Sequence, residues 1–184
     1  MFRTIAAAIG VAVIALSPAR SAAQAPGIGQ QCANASCEIQ NDWIRNNLML
    51  AGLADAMPAE KFGFKPTPVQ QSFAERVMHV VSVDMSLLAT IGAKTPAPAI
   101  NMQAATKADV LAAVRQHSDY GTAVLKEFTD ATLMEQVPSP WFMGPKSSRQ
   151  RIVYFLMMHN QDTYGQLVVY LRLNGVTPPL SRQP

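Results

Sequence analysis

Three histidines, His79, His117 and His159, carry most of the chemistry that this sequence could perform. Imidazole nitrogens bind metal ions and also transfer protons near neutral pH. His159 opens the segment HNQDTYGQL, and Thr163 follows one helical turn later on the same face, so polar side chains interrupt an apolar helix. Buried polar groups cost free energy unless they find partners. This helix alone favours a hydrogen-bonded core histidine at position 159, and a metal ligand is the alternative.

The other two histidines differ in their surroundings. His79 follows Glu75 at a spacing of four residues, which places both side chains on one face of a helix. A glutamate and a histidine at this spacing can bind one metal ion together, or they can form an ordinary surface pair. His117 stands in the polar segment RQHSDY. We expect its imidazole to be exposed to solvent.

The only two cysteines, Cys32 and Cys37, are separated by four residues. An even number of cysteines in an exported protein favours a disulfide, here one that closes a small loop. The spacing is not that of a Cys-x-x-Cys redox motif, and no histidine follows Cys37 as c-type haem attachment requires. We therefore expect a structural disulfide. The less favoured alternative is a pair of thiols that binds a metal ion or takes part in redox chemistry.

The N-terminus has the pattern of a secretory signal. Arg3 is followed by an apolar run over residues 5–16 and by small residues at positions 21–23. The apolar run is too short to cross a bilayer. We expect cleavage after Ala23, with Ala25 as the second choice, and export to the periplasm or the medium.

Cleavage after position 23 divides the chain into a signal peptide over residues 1–23, a flexible leader over residues 24–38 and a domain over residues 39–184. The whole chain has 15 basic and 12 acidic residues, and two of the arginines lie in the signal, which leaves a net charge of +1. Without a basic cluster, nucleic-acid binding is not expected. No later stretch is apolar over the roughly 18 residues of a membrane helix, so we expect no membrane association after the signal is removed.

Apolar residues recur at helical spacing in four segments, at about residues 39–57, 69–91, 106–128 and 148–174. Pro58, Gly92 and Gly175 stand where three of these segments should stop. In no segment do apolar and polar residues alternate convincingly, as they would in a half-buried β-strand. The sequence therefore predicts an all-α protein, a four-helix bundle with a long crossover between helices 2 and 3.

The loops hold four aromatic residues, Phe62, Phe64, Trp141 and Phe142. Prolines and glycines around them indicate turns, and Phe62 and Phe64 look exposed. We expect the four rings to cap an end of the core, and a ligand-binding mouth is the alternative.

Several segments occur in the order of one known family. Residues 159–179, HNQDTYGQLVVYLRLNGVTPP, resemble the final-helix signature of the DinB-like superfamily, which includes bacillithiol and mycothiol transferases. That signature is a His-x-x-x-His pair, a tyrosine or arginine, Gly-Gln or Gly-Asn, an apolar stretch, an arginine, a glycine and two prolines. Three earlier segments also resemble the family. Trp43 with Asn47 resembles its first helix, MPAEKFGFKPTP its first loop and SFAERVMHVVSVD its second helix. The resemblance covers about residues 39–181 and implies the same crossover bundle, here as a secreted member.

The resemblance also implies a set of metal ligands. In the family three histidines hold one divalent metal ion, commonly zinc or nickel, with one histidine on the second helix and two, four residues apart, on the last. His79 matches the first of these ligands and His159 the second, whereas the third position is Thr163. A threonine hydroxyl is a poor zinc ligand. The resemblance therefore implies a degenerate site, in which occupancy by zinc or nickel is in question.

Three nearby side chains could replace the missing ligand: Glu75, Asp162 and Gln166, although helix direction limits each of them. Tyr164, Gly165 and Gln166 keep the family pattern. We expect Gly165 to permit close helix packing and Gln166 to support the ligands or to be a polar residue of the core.

Two functions of different classes follow. The first is an exported metal-dependent transferase or hydrolase, in line with the family's thiol transferases and a maleylpyruvate isomerase. The second is a bundle that has lost the metal site and binds a small molecule or a protein partner, with a homodimer as one form. A copper or haem bundle is a weaker third alternative: Met78, Met157 and Met158 adjoin the histidines, but adjacent helical side chains diverge by about 100°. The residues leave open whether the protein is an enzyme.

Overall fold

The computed structural model of the protein describes residues 31–182, so the predicted signal peptide and residues 24–30 of the predicted leader lie outside the described residues. Four long helices make up the structure: α1 (Ala35–Ala56), α2 (Phe73–Leu88), α3 (Lys107–Leu125) and α5 (Arg149–Leu173). Between α3 and α5 lie a short helix, α4 (Asp130–Leu133), and a hairpin of two antiparallel strands, β1 (Gln136–Pro138) and β2 (Lys146–Ser148). The predicted all-α four-helix bundle is confirmed.

Local hydrogen bonds explain where the helices begin. Asn34 caps α1 by accepting the backbone N–H of Cys37 at 3.0 Å, and Asp130 accepts the N–H of Ser36 at 2.8 Å. These two bonds start α1 four residues before the predicted position, inside the segment predicted to be a flexible leader. Cys32 and Cys37 form the predicted disulfide beside this helix start.

The remaining long helices have equally local signals. Ser72 and Glu75 form a capping box at the start of α2. Thr106 caps α3 and Ser148 caps α5 through their hydroxyl oxygens. Gly175 follows α5 with a φ of 71°, which is a conformation that suits glycine. Over residues 31–182 no helix has the length and apolar character needed to cross a bilayer.

The crossover between α2 and α3 makes these two helices run in the same direction. The first halves of α2 and α3 pack into one apolar cluster, together with the second halves of α1 and α5. The opposite halves of the four helices form a second apolar cluster. Helices α1 and α2 each pack against both α3 and α5. The bundle is therefore up-down-down-up, and residues 89–106 return the chain along its length.

A buried polar layer separates the two apolar clusters. Every long helix contributes to it: Asn47 from α1, Asp84 from α2, His117 from α3, and Asn160 and Thr163 from α5. Along each helix these residues lie between the members of one cluster and those of the other. The core is thus two apolar blocks joined by one polar layer.

The loop aromatics divide into two groups. Phe62 is buried and packs edge-on against Phe73, with ring centroids 5.1 Å apart, so its expected exposure is wrong. Phe64 is half-buried against Tyr170. These two rings cap the core as predicted. Trp141, however, lies between β1 and β2 and is 91% exposed, so the capping prediction is wrong for this residue.

Trp43 is the largest fully buried side chain next to the polar layer. Its Nε1 donates a hydrogen bond to the carbonyl of Ser118 at 3.1 Å, and its ring meets His117 edge-on at 5.1 Å. It lies directly on Gly121 of α3, where a Cβ atom would stand 2.8 Å from Cη2 of Trp43 and closer still to Cζ2. Gly121 is therefore the glycine that allows close packing. The prediction for Gly165 is wrong, because that residue is exposed and a Cβ there would meet nothing within 4 Å.

We expect Gly121→Ala to lower the free energy of unfolding by roughly 1–3 kcal/mol, since overpacking a close contact has this cost. The matched control is Gly165→Ala in α5, which should raise the free energy of unfolding by about 0.5–1 kcal/mol, because alanine loses less backbone entropy. Urea denaturation of the two variants measures both effects. Equal behaviour of the two variants would contradict the packing of Trp43 on α3.

Candidate metal centre

His79 on α2 and His159 on α5 form a close pair across the helix interface. Their Nε2 atoms lie 3.0 Å apart, and both rings are half-buried. Without a metal ion, one Nε2 must carry a proton and donate a hydrogen bond, and the other Nε2 must accept that bond. Two imidazoles on one tetrahedral zinc ion, with Zn–N bonds of about 2.0–2.1 Å, would place their nitrogens roughly 3.3 Å apart. The observed separation is therefore close to that of two ligands of one metal ion.

The surroundings of His79 favour its neutral form. Burial lowers the pKa of His79 below its ordinary value, and repulsion from His159 and Arg76 lowers this pKa further, while Asp84 acts in the opposite direction. A metal ion binds the neutral imidazole, so a lowered pKa reduces competition from protons.

A groove of about 430 Å³ opens beside His79, between α2 and the crossover. Its walls include Met78, Ser82, Met102 and Gln103. A small molecule bound in this groove would therefore lie against the imidazole of His79.

Thr163 occupies the position where the sequence pattern calls for a third histidine. Its side chain is fully buried one turn after His159, and its Oγ1 has no hydrogen-bond partner within residues 31–182. A neutral hydroxyl contributes little to zinc binding. In the part of the chain that the structure describes, no three His, Cys, Asp or Glu side chains are grouped to hold a metal ion.

The three proposed replacements for the third ligand all have other partners. Oε2 of Glu75 accepts the N–H of Ser72 at 2.6 Å and lies 3.7 Å from Nζ of Lys65, and its bonds to Ser72 hold the pKa of Glu75 below the usual value. Asp162 is exposed and accepts the amide of Gln166 at 2.8 Å.

Gln166 in turn accepts a hydrogen bond from the guanidinium of Arg76. This bond joins α5 to α2, and Arg76 lies one helical turn before His79 on α2. Arg76 also donates to Oε1 of Gln71 at 3.1 Å. A fixed positive charge thus lies beside the histidine pair, where it opposes a bare cation and favours an anionic ligand.

His117 is not exposed, contrary to the expectation from its polar neighbours. Its side chain is fully buried, and its Nε2 lies 2.7 Å from Oδ2 of Asp84, which is also fully buried. Burial raises the pKa of Asp84, while the hydrogen bonds from His117 and Asn160 oppose this rise. Sequence reasoning missed this pair, although an acid within the apolar stripe of α2 was the available signal.

Asn160 connects this buried pair to the candidate metal centre. Its Nδ2 donates to Oδ2 of Asp84 at 2.8 Å, and its Oδ1 lies 3.5 Å from Nδ1 of His159. The contacts therefore run from the half-buried histidine pair into the polar layer. The donor chemistry fits a metal ion held by two imidazoles, His79 and His159, with its remaining positions open.

Comparison with known proteins places the chain in a family. The model of the DinB family matches residues 31–182. The protein YjoA of Bacillus subtilis (strain 168) is 22% identical over 142 residues, which cover 77% of this chain and 92% of YjoA.

Solved structures show the same fold. A DinB-like protein from Bacillus cereus ATCC 10987 matches with a TM-score of 0.65 at 18% identity, over 77% of this chain and 93% of that one. The DinB-like protein YjoA from Bacillus subtilis matches with a TM-score of 0.63 at 22% identity, over 79% of this chain and 98% of that one.

The pairing of His117 with Asp84 leads to a stability prediction. His117→Ala should lower the free energy of unfolding by roughly 3–5 kcal/mol, because it leaves a buried carboxyl group without its partner. The double variant Asp84→Leu/His117→Leu should be more stable than His117→Ala, since it removes both polar groups together. Chemical denaturation measures all three proteins. A double variant less stable than His117→Ala would contradict the cost assigned to the unpartnered buried carboxyl group.

Proposed function

The chain belongs to the DinB family, and on that premise we propose that it binds a divalent metal ion, zinc or nickel, through His79 and His159. The observation that supports this proposal is the 3.0 Å separation of the two Nε2 atoms, which converge from different helices. The lowered pKa of His79 also supports it, because burial favours the neutral imidazole, which is the form that a metal ion binds.

The proposed site is open rather than closed. Structural zinc sites use four protein ligands, whereas catalytic sites keep positions for a substrate. Two imidazoles, of which His79 lines the groove of about 430 Å³, would leave such positions for a small molecule. When bound, the metal ion would act as a Lewis acid on that molecule. The activity proposed on this basis is that of a metal-dependent transferase or hydrolase.

The chain's own residues would select the ligand. The guanidinium of Arg76, held by Gln71 and Gln166, supplies a positive charge next to His79. Ser82 and Gln103 add polar groups to a groove that Met78 and Met102 make partly apolar. We therefore propose a small anionic ligand with an apolar portion.

The second candidate is a bundle that has lost the metal site and binds a small molecule or a second copy of the chain without catalysis. Thr163 favours this candidate, because its buried hydroxyl replaces the family histidine. The two candidates differ in one measurable property, the metal affinity of the unmodified protein.

We also propose that the protein works outside the cytoplasm, in the periplasm or the medium. The signal-like pattern before position 24 supports export. The disulfide between Cys32 and Cys37 supports it as well, because disulfides persist in oxidising compartments.

The metal proposal predicts the following affinities. Untagged protein should bind zinc, and His79→Ala or His159→Ala should each weaken binding by roughly 100-fold or more, since even the loss of an outer-shell partner costs about 10–100-fold. Thr163→His should strengthen binding by a similar factor, because it adds the third imidazole. Titration calorimetry and metal analysis by mass spectrometry measure these changes.

Glu75→Gln and Asp162→Asn are the matched controls. Both replace a carboxylate that has other partners, so zinc affinity should change by less than about threefold, within the range of a weak surface charge effect. If the wild type binds no zinc while Thr163→His does, the metal proposal fails and the second candidate remains. If Glu75→Gln abolishes binding, the carboxylate is the missing ligand.

Export predicts a shorter mature chain. Expression in a bacterial host with a periplasm should yield protein that begins at Gln24, or at Pro26 if cleavage follows Ala25. Intact-mass measurement of periplasmic and cytoplasmic fractions tests this. Full-length protein confined to the cytoplasm would count against export.

A further inference from the structure

The buried contacts next to the candidate metal centre form one continuous chain. Nε2 of His117 lies 2.7 Å from Oδ2 of Asp84, and Nδ2 of Asn160 donates to the same oxygen at 2.8 Å. Oδ1 of Asn160 lies 3.5 Å from Nδ1 of His159. Nε2 of His159 lies 3.0 Å from Nε2 of His79. The chain therefore joins three helices, α2, α3 and α5, from the core to the groove.

The direction of each hydrogen bond in this chain follows from donor and acceptor chemistry. In the structure the NH2 group of Asn160 donates to Oδ2 of Asp84, so this end of the amide faces the carboxyl group. The carbonyl oxygen of Asn160 then faces His159 and can only accept. Nδ1 of His159 must therefore donate, and its Nε2 must be the acceptor nitrogen.

We propose that Asp84 is a positioning residue for the histidine pair. Through Asn160 it keeps the proton of His159 on Nδ1, so that the Nε2 lone pair of His159 faces His79. In the metal-free protein His79 then donates from its own Nε2. The two histidines thus hold opposite tautomers, and Nε2 of His159 is already the nitrogen that a metal ion needs.

Asp84 is suited to this role because it cannot easily turn. It is fully buried, and both His117 and Asn160 bind its Oδ2. His117 is itself held between Asp84 and the ring of Trp43. Metal-binding histidines commonly receive such support at their second ring nitrogen, and its loss costs about 10–100-fold in metal affinity. Here the support would come from a carboxylate that acts through an amide.

This inference deepens the proposed function, but its main test needs no metal ion, so the two can fail separately. The test is nitrogen NMR of the isotope-labelled, chelator-treated protein at about pH 8.5, where an ordinary imidazole is neutral. Two-bond proton–nitrogen correlations identify the tautomer of each histidine, and His79→Gln and His159→Gln assign the signals. The expected result is Nδ1–H for His159 and Nε2–H for His79.

Two variants break the chain at different points. Asn160→Leu removes the link, and Asp84→Leu/His117→Leu removes its buried end while keeping Asn160 and leaving no unpaired charge. Each should give His159 a mixture of both tautomers. Asn47→Leu is the matched control: it makes the same replacement in the same polar layer, but Asn47 donates within its own helix, to the carbonyl of Trp43. This control should keep the wild-type tautomers.

Circular dichroism identifies which variants are folded, and the proposal is judged on those. An Nε2–H tautomer of His159 in the wild type would overturn it. If both chain-breaking variants fold and His159 keeps its wild-type tautomer in them, the proposal is overturned too. It is also overturned if the tautomer populations of His159 change equally in Asn47→Leu and Asn160→Leu, because that result would mean a general loosening of the core. If the protein also binds zinc, Asn160→Leu should weaken that binding by about 10–100-fold, and Asn47→Leu should not.

Discussion

The hydrogen bond between Nε2 of His117 and Oδ2 of Asp84 is the contact on which the bundle most depends. A buried carboxyl group costs several kcal/mol unless hydrogen bonds satisfy it. Close packing alone does not specify which polar atoms meet, whereas this hydrogen bond requires one short distance between two named atoms. Helices α2 and α3 must therefore meet at one level, and Asn160 brings α5 to the same level. The polar layer thus sets the register of three helices, while the apolar blocks on either side supply the driving force.

The candidate metal centre is a consequence of this register. His159 is the neighbour of Asn160, so the bond that places Asn160 also places His159 beside α2. His79 lies less than two turns before Asp84 on α2, and the two Nε2 atoms meet at the edge of the polar layer. Thr163 is fully buried at the position where the sequence resemblance implies a third histidine, and it lacks a nitrogen donor. The family fold is therefore retained by packing and by the polar layer, neither of which depends on a complete set of three histidines.

Correct and incorrect predictions from the sequence concern different kinds of residue. The difference lies in whether nearby or distant residues determine the environment of the side chain. Helix starts at Thr106 and Ser148 depend on hydrogen bonds within four residues, and the sequence shows them directly. The capping box of Ser72 and Glu75 is equally local but was missed, and α2 begins four residues after the predicted position. His117 has polar neighbours along the chain, yet the partner that buries it is 33 residues away. Gly121 matters because Trp43 from another helix lies on it, and no local pattern distinguishes it from the exposed Gly165. The environments of His117 and Gly121 were therefore missed, because they depend on distant helices.

The sequence by itself determined the four long helices, the disulfide, the family and the unusual threonine at position 163, because periodicity and motif spacing are local properties. Only the tertiary structure decided that Asp84, His117 and Asn160 form one chain, that the carboxylate of Glu75 is used by a helix cap, and that the two histidines face each other at 3.0 Å. The physical reason is that hydrogen bonding and burial depend on which helices meet and at what level. That level is set by contacts between residues far apart in the chain.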